Sequence, residues 1–185
     1  RLPATGKVRL APMLNHNGKL MGDLTISRIA PDRFWIVGSY YLQEWHMRWF
    51  AGFLPADGVQ VTNLSDAWTG FAISGPNSRR LMERVVTQDI SNAAFPFLSC
   101  GMMQVAGAGA MVARLSLTGE LGYEVNVRAG DHRAVYLALR EAGRMAQGWL
   151  PFFAPAEPAQ APAAAGLSGA VARDRAGRGD FLGED

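Results

Sequence analysis

Apolar and polar positions along residues 7–14 alternate with the period of a strand: Val8, Leu10 and Pro12 are set against Lys7, Arg9 and Ala11. Asn15-His16-Asn17-Gly18 follows, and Asn and Gly supply the positive φ angles of a tight hairpin turn. The return strand spans residues 20–27. Leu20, Gly22, Leu24 and Ile26 share one face, while Met21, Asp23 and Thr25 share the other. Ala30-Pro31-Asp32 predicts a second turn, and residues 33–38 a short buried strand. Ser39 is a candidate N-cap for a helix reaching to about Phe53. Leu42, Trp45, Trp49 and Phe53 form a stripe on that helix, read as core packing, and His46 beside it as a packed or surface histidine.

Further strands are predicted at residues 59–64 and 71–74. Gly75-Pro76-Asn77 opens a helix whose apolar face is Leu81, Met82, Val85 and Val86. Residues 102–106 and 111–117 pair around a Gly107-Ala108-Gly109 turn, and residues 123–127 form another strand. Asp131 caps a last helix to about Met145, with Val135, Leu137, Leu139 and Ala142 as its apolar positions. Strands interleaved with helices, with hairpin signals between the strands, predict an α+β fold with mixed, largely antiparallel sheets flanked by helices. The periodicity stops after Gln147. Residues 148–166 are rich in Ala and Pro and read as a linker or disordered segment. The expected organisation is a partial domain over 1–147, that linker, and a remnant of a following segment over 167–185.

Composition narrows the function classes. The chain has 185 residues, is 49% apolar and carries a net charge of +2. Its basic residues are scattered, so neither nucleic acid nor an anionic membrane is expected as a partner. No stretch reaches the ~20 apolar residues that span a bilayer. A lone cysteine, Cys100, excludes an internal disulfide and a thiolate metal cluster, and is read as a small buried hydrophobe. The three histidines show no metal-ligand spacing, so no metal is expected. Nucleophile-elbow, phosphate-loop and dinucleotide motifs are missing. What remains is two carboxylates in strands, Asp23 and Glu124. A strand carboxylate either faces water or lines a cavity, where desolvation and ligand contacts make it chemically useful. Spacing alone leaves both readings open.

Four blocks carry a resemblance. Residues 12–25 (Pro-Met-Leu-Asn-His-Asn-Gly-Lys-Leu-Met-Gly-Asp-Leu-Thr) form a hairpin and a strand that bears Asp23. Ile73-Ser74-Gly75-Pro76-Asn77-Ser78 is a Gly-Pro-x-Ser helix start. Asp89-Ile90-Ser91-Asn92 precedes Phe95-Pro96-Phe97. Arg114-Leu115-Ser116-Leu117-Thr118-Gly119-Glu120-Leu121-Gly122-Tyr123-Glu124 is the most characteristic block. In order and spacing these resemble the glycine-cleavage T-protein (aminomethyltransferase) folate-binding family. Their style is nearer to the C-terminal domain of sarcosine and dimethylglycine dehydrogenases.

The resemblance implies the T-protein folate-binding fold, with its C-terminal barrel absent from this chain. It implies tetrahydrofolate as cofactor, a catalytic role for Asp23, and folate binding by Glu124, Tyr123, Thr25 and the position of Leu117. It also implies a small N-methyl amine donor, FAD only in a flavin domain or subunit outside these residues, and a cytoplasmic location, or the mitochondrial matrix in a eukaryote. Asp23 would stabilise positive charge where the one-carbon unit moves, and Glu124 would accept the pterin's adjacent N–H groups in a fork. Gly119 and Gly122 would let the backbone approach the ring. Two departures stand out. Leu117 replaces a tyrosine common in such proteins, and the Ala/Pro tract stands where an arginine-containing block is expected. The corresponding activity is one-carbon transfer to give 5,10-methylene-tetrahydrofolate. The alternatives are a truncated remnant that does not turn over, or a folate-binding regulatory protein.

Overall fold

The computed structural model describes residues 2–116, 119–145 and 171–174. In chain order the elements are β1 (Val8–Leu14), β2 (Leu20–Ala30), β3 (Arg33–Val37), α1 (Gln43–Phe53), β4 (Trp68–Ser74), α2 (Ser78–Met82), β5 (Cys100–Val105), β6 (Ala108–Ala113), β7 (Gly122–Arg128), α3 (His132–Met145) and β8 (Val171–Asp174). Among these, the strands make two antiparallel sheets, ordered β1-β2-β3 and β5-β6-β7-β4-β8. The expected α+β class and its largely antiparallel pairing are present, and the described residues form no closed barrel.

The local devices are those the turn residues dictate. Asn15 Oδ1 accepts from the backbone N–H of Asn17 and Lys19 at 2.9 Å each, and Gly18 takes φ +71°, which closes the β1–β2 hairpin. The β5–β6 hairpin turns at Ala106-Gly107, both at positive φ, one residue earlier than the glycine spacing predicts.

The larger core lies between the five-stranded sheet and α2 and α3. Phe71, Ile73, Val112, Tyr123, Val125 and Val127 meet Leu81, Met82, Val135 and Leu139 there. A smaller cluster joins the sheets: Val8, Cys100, Met111 and Ala113, with Trp35, Ile29 and Leu115 around them. Hydrogen bonds run across the same joint, from Val8 N to Leu98 O (2.8 Å) and from Cys100 N to Gly6 O (2.9 Å).

Several expectations are corrected. Residues 59–64 form no strand, because no neighbouring strand offers them a hydrogen-bonding edge. β3 is half exposed rather than buried, since it is an edge strand of the small sheet. Ser39 makes no side-chain cap; a 3-10 turn at Tyr40–Leu42 leads into α1 instead. The aromatic stripe of α1 is only partly packed, with Phe53 63% exposed, and the buried residue of that helix is His46. Leu137 faces solvent, as Val135, Leu139 and Ala142 already fill the inward stripe of α3. The expected linker at 148–166 lies outside the described residues. Within 167–185 the described part is β8, which pairs with β4.

Gly122 is held by contact rather than by conformation. A Cβ there would sit 2.7 Å from the carbonyl oxygen of Leu115. Its small size thus admits a neighbouring backbone, a different use from the ring approach expected of it. Gly101 has open space at the corresponding point. Gly122→Ala is expected to destabilise the chain by about 1–3 kcal/mol in urea unfolding. Gly101→Ala is expected to be neutral or stabilising by up to about 1 kcal/mol. Equal effects would contradict the contact.

Candidate functional site

Strand parity decides where each candidate side chain points. Val8, Ser27 and Trp35 lie opposite one another across β1, β2 and β3, and Val8 and Trp35 pack onto the second sheet. Asp23 and Thr25 share that face of β2, because they are four and two residues from Ser27. On β7, Glu124 is opposite Ala113 and Asn126 is opposite Met111, both in the cluster between the sheets. Asp23 and Glu124 therefore stand on the apposed faces of the two sheets. Tyr123 lies on the other side of β7, buried in the helix-side core, where its hydroxyl accepts from Arg79 Nε at 3.2 Å. Leu117 lies outside the described residues.

Asp23 and Thr25 open onto a groove of about 370 Å³, walled by Val37, Gly38, Ser39, Tyr40 and Tyr41. Asp23 itself is exposed and Thr25 half-buried. The tyrosine rings meet edge to face at 6.0 Å between centroids. On β1, Pro12 lies opposite Asp23 and Leu10 opposite Thr25. This suits a flat, partly apolar ligand that carries positive charge near one end. Glu124 is half-buried and has Ala72 and Ala113 as its strand neighbours.

The sequence blocks hold this arrangement together through hydrogen bonds. Ser78 Oγ, at the start of α2, donates to Leu121 O at 3.0 Å, and Gly75 N donates to the same carbonyl at 2.9 Å. The Gly-Pro-x-Ser block thereby fixes the entry to β7, and with it Glu124. Arg79 also donates to Asn92 Oδ1 at 2.7 Å. Arg114 Nη1 donates to Phe95 O at 2.8 Å, which ties the third block to the fourth. Asp89 accepts from Ser91 backbone N–H at 2.8 Å, and this bond, with the Ser91 hydroxyl, holds its carboxyl below the usual range. Burial pushes the Cys100 thiol up, in keeping with its place between the sheets.

His46 lies behind Asp23, on the other side of β2. A Cβ on Gly22 would come 3.4 Å from its Nε2, and one on Gly38 3.0 Å from its Cε1. Its ring is 2% exposed, and neither nitrogen has a hydrogen-bond partner. Among the described residues no cluster of His, Cys, Asp or Glu could hold a metal, and no helix is long and apolar enough to cross a membrane.

Sequence reasoning missed Asn126, Trp35, Tyr40 and Tyr41. Asn126 was within reach of it, as position i+2 from Glu124 on one strand face. The tyrosines were not, because the turn after β3 brings them to the groove.

The model of the GCVT N-terminal domain matches residues 2–152. The chain belongs to the GCVT N-terminal domain family. This GCVT domain is 36% identical over 151 residues to the sarcosine oxidase subunit alpha of Rhizobium meliloti (strain 1021), covering 78% of this chain and 15% of that protein. It is 28% identical to mitochondrial dimethylglycine dehydrogenase of Mus musculus (77% of this chain, 17% of the relative). It is 29% identical to an aminomethyltransferase of Thermotoga sp. (strain RQ2), over 77% and 39% of the two chains. The GCVT domain thus spans from under a fifth to about two fifths of these relatives. Its fold matches the glycine cleavage system aminomethyltransferase T of Bartonella henselae (TM-score 0.60, 22% identity, 75% and 36% covered). It also matches a heterotetrameric sarcosine oxidase of Corynebacterium sp. U-96 (TM-score 0.58, 20% identity, 75% and 64% covered).

Burial holds His46 below its ordinary value of 6.5, with the nearby Asp23 charge opposing the shift. The unfolded chain then binds more protons than the folded one below about pH 6.5, so stability falls as the pH drops through that value. Urea unfolding from about pH 7.5 to about 5.5 should show this decline, and His46→Gln should flatten it. An unchanged slope in His46→Gln would contradict the assignment.

Proposed function

We propose that this GCVT domain binds tetrahydrofolate between its two sheets and accepts a one-carbon unit from an N-methyl or aminomethyl donor, giving 5,10-methylene-tetrahydrofolate. The observation that carries this reading is the placement of Asp23 and Glu124 on facing sheet surfaces, with a groove opening at Asp23. Glu124 accepts from the pterin's amino group and its neighbouring ring N–H, a charge-assisted fork that a strand holds rigidly. Asp23 lies where positive charge can be stabilised as the one-carbon unit moves, and it can take up a proton released there. Thr25 and the Tyr40–Tyr41 wall orient the ligand in the groove. Tyr123 supports β7 from behind through Arg79 rather than touching the ligand. In balanced form, an iminium donor and tetrahydrofolate give the methylene-bridged folate and the free ammonium, with both folate N–H hydrogens leaving on the amine. The donor would come from an oxidising domain or subunit outside these residues, in keeping with the oxidase and dehydrogenase names of the relatives, and a flavin there would make the iminium. Tetrahydrofolate supplies the two nitrogens that receive the carbon.

Leu117 favours a second reading, binding without turnover, since an apolar side chain stands where the family resemblance implies a hydroxyl. Calorimetric titration of tetrahydrofolate separates these possibilities. Glu124→Gln is expected to weaken binding by about 10–100-fold. Asp23→Asn should change affinity by less than about threefold but lower transfer by about 100-fold or more. Binding without transfer in the unaltered chain selects the second reading. Absence of binding would overturn both.

A further inference from the structure

Asn126 is polar and 6% exposed, and its Nδ2 has no hydrogen-bond partner. A buried amide donor left unpaired costs free energy, so such a group is usually paired with protein, water or a ligand. Three observations place this donor beside the proposed folate site. Asn126 and Glu124 are two residues apart on one strand face, about 7 Å along β7. The strand neighbours of Asn126 are Gly70 and Met111, and Gly70 brings no side chain to fill the space. Trp35 meets Trp68 edge to face at 4.9 Å and packs on the cluster containing Met111, the strand partner of Asn126. Trp35 Nε1 is itself buried without a partner. One face of β7 thus carries a carboxylate at Glu124 followed by the unsatisfied N–H donor of Asn126, with that of Trp35 on the apposed sheet.

We infer that Asn126 is a specificity-determining contact for the 4-oxo group of the pterin, donating through Nδ2 to the ring carbonyl beside the N–H that Glu124 accepts. This inference rests on the proposed folate reading. The pterin edge runs amino donor, ring N–H donor, carbonyl acceptor. Glu124 accepts from the first two and Asn126 donates to the third. An analogue with an amino group at C4 has no acceptor at that point and places a donor against a donor, which binding sites reject strongly. Without ligand, the unpaired amide is a cost to the fold, which an apolar residue of similar size would remove.

The test is calorimetry on this chain with tetrahydrofolate and its 4-amino-4-deoxy analogue, using Asn126→Leu, Asn126→Asp and Glu124→Gln. Asn126→Leu should weaken tetrahydrofolate binding by about tenfold and change binding of the 4-amino analogue by less than about threefold. Its ligand-free Tm should equal or exceed that of the unaltered chain. Asn126→Asp should bind the 4-amino analogue more tightly than the unaltered chain does. If tetrahydrofolate binds, and Glu124→Gln weakens it as expected, but Asn126→Leu leaves the preference between ligands unchanged, Asn126 pairs only with water and the inference is overturned while the folate reading stands. An equal loss for both ligands marks Asn126 as structural and also overturns it. If the unaltered chain binds neither ligand, the inference falls together with the folate reading.

Discussion

Trp35 against Trp68, at 4.9 Å, marks the joint on which the site depends. The three-stranded sheet has little core of its own. It is positioned by a narrow row of side chains, Val8, Ser27 and Trp35, laid across Cys100, Met111, Ala113 and Trp68. Full burial of each apolar member contributes about 1.5–3 kcal/mol, and the backbone bonds from Val8 and Cys100 fix the register. Because strand side chains alternate, the same row that glues the sheets also aims Asp23, two steps beyond Thr25, toward the second sheet's inner surface. Loosening the joint would separate the two carboxylates without unfolding the larger core.

β7 bears the complementary constraint. Tyr123, Val125 and Val127 are spent on the helix-side core, which leaves Glu124 and Asn126 for the space between the sheets. A strand buried on both faces cannot slip by one residue without driving a carboxylate into the larger core. The Ser78 hydroxyl on Leu121 and the Leu115 carbonyl against Gly122 pin its start. Polar groups kept between sheets lower stability where they lack partners, and Asn126 Nδ2 and Trp35 Nε1 are both in that condition. His46 adds a third such group behind Asp23.

Much of the fold was legible in the chain. Alternation located β1, β2 and β5 to β7, and the Asn15 to Gly18 turn chemistry closed its hairpin as the residues require. The failures share a physical cause, which is that local pattern does not reveal partners. Residues 59–64 alternate like a strand, yet no edge pairs with them. The aromatic stripe of α1 has helical period, but the helix buries His46 against two glycines instead, a fit set by β2 and the residue after β3. Leu137 is apolar and exposed because the inward stripe was already filled. For the site, the residue pattern picked out Asp23 and Glu124 but left both facing either water or a cavity. Only the apposition of the sheets sets them on facing surfaces, and only parity separates Glu124 from its neighbour Tyr123.

The most direct test of a folate site between the sheets is a backbone amide NMR titration of the chain with tetrahydrofolate. Shift changes should concentrate on Asp23 and Thr25 of β2, Glu124 and Asn126 of β7, and the Tyr40–Tyr41 turn, with α3 left nearly still. Changes centred on the helix-side core around Val135 and Leu139, or no saturable change at all, would contradict it.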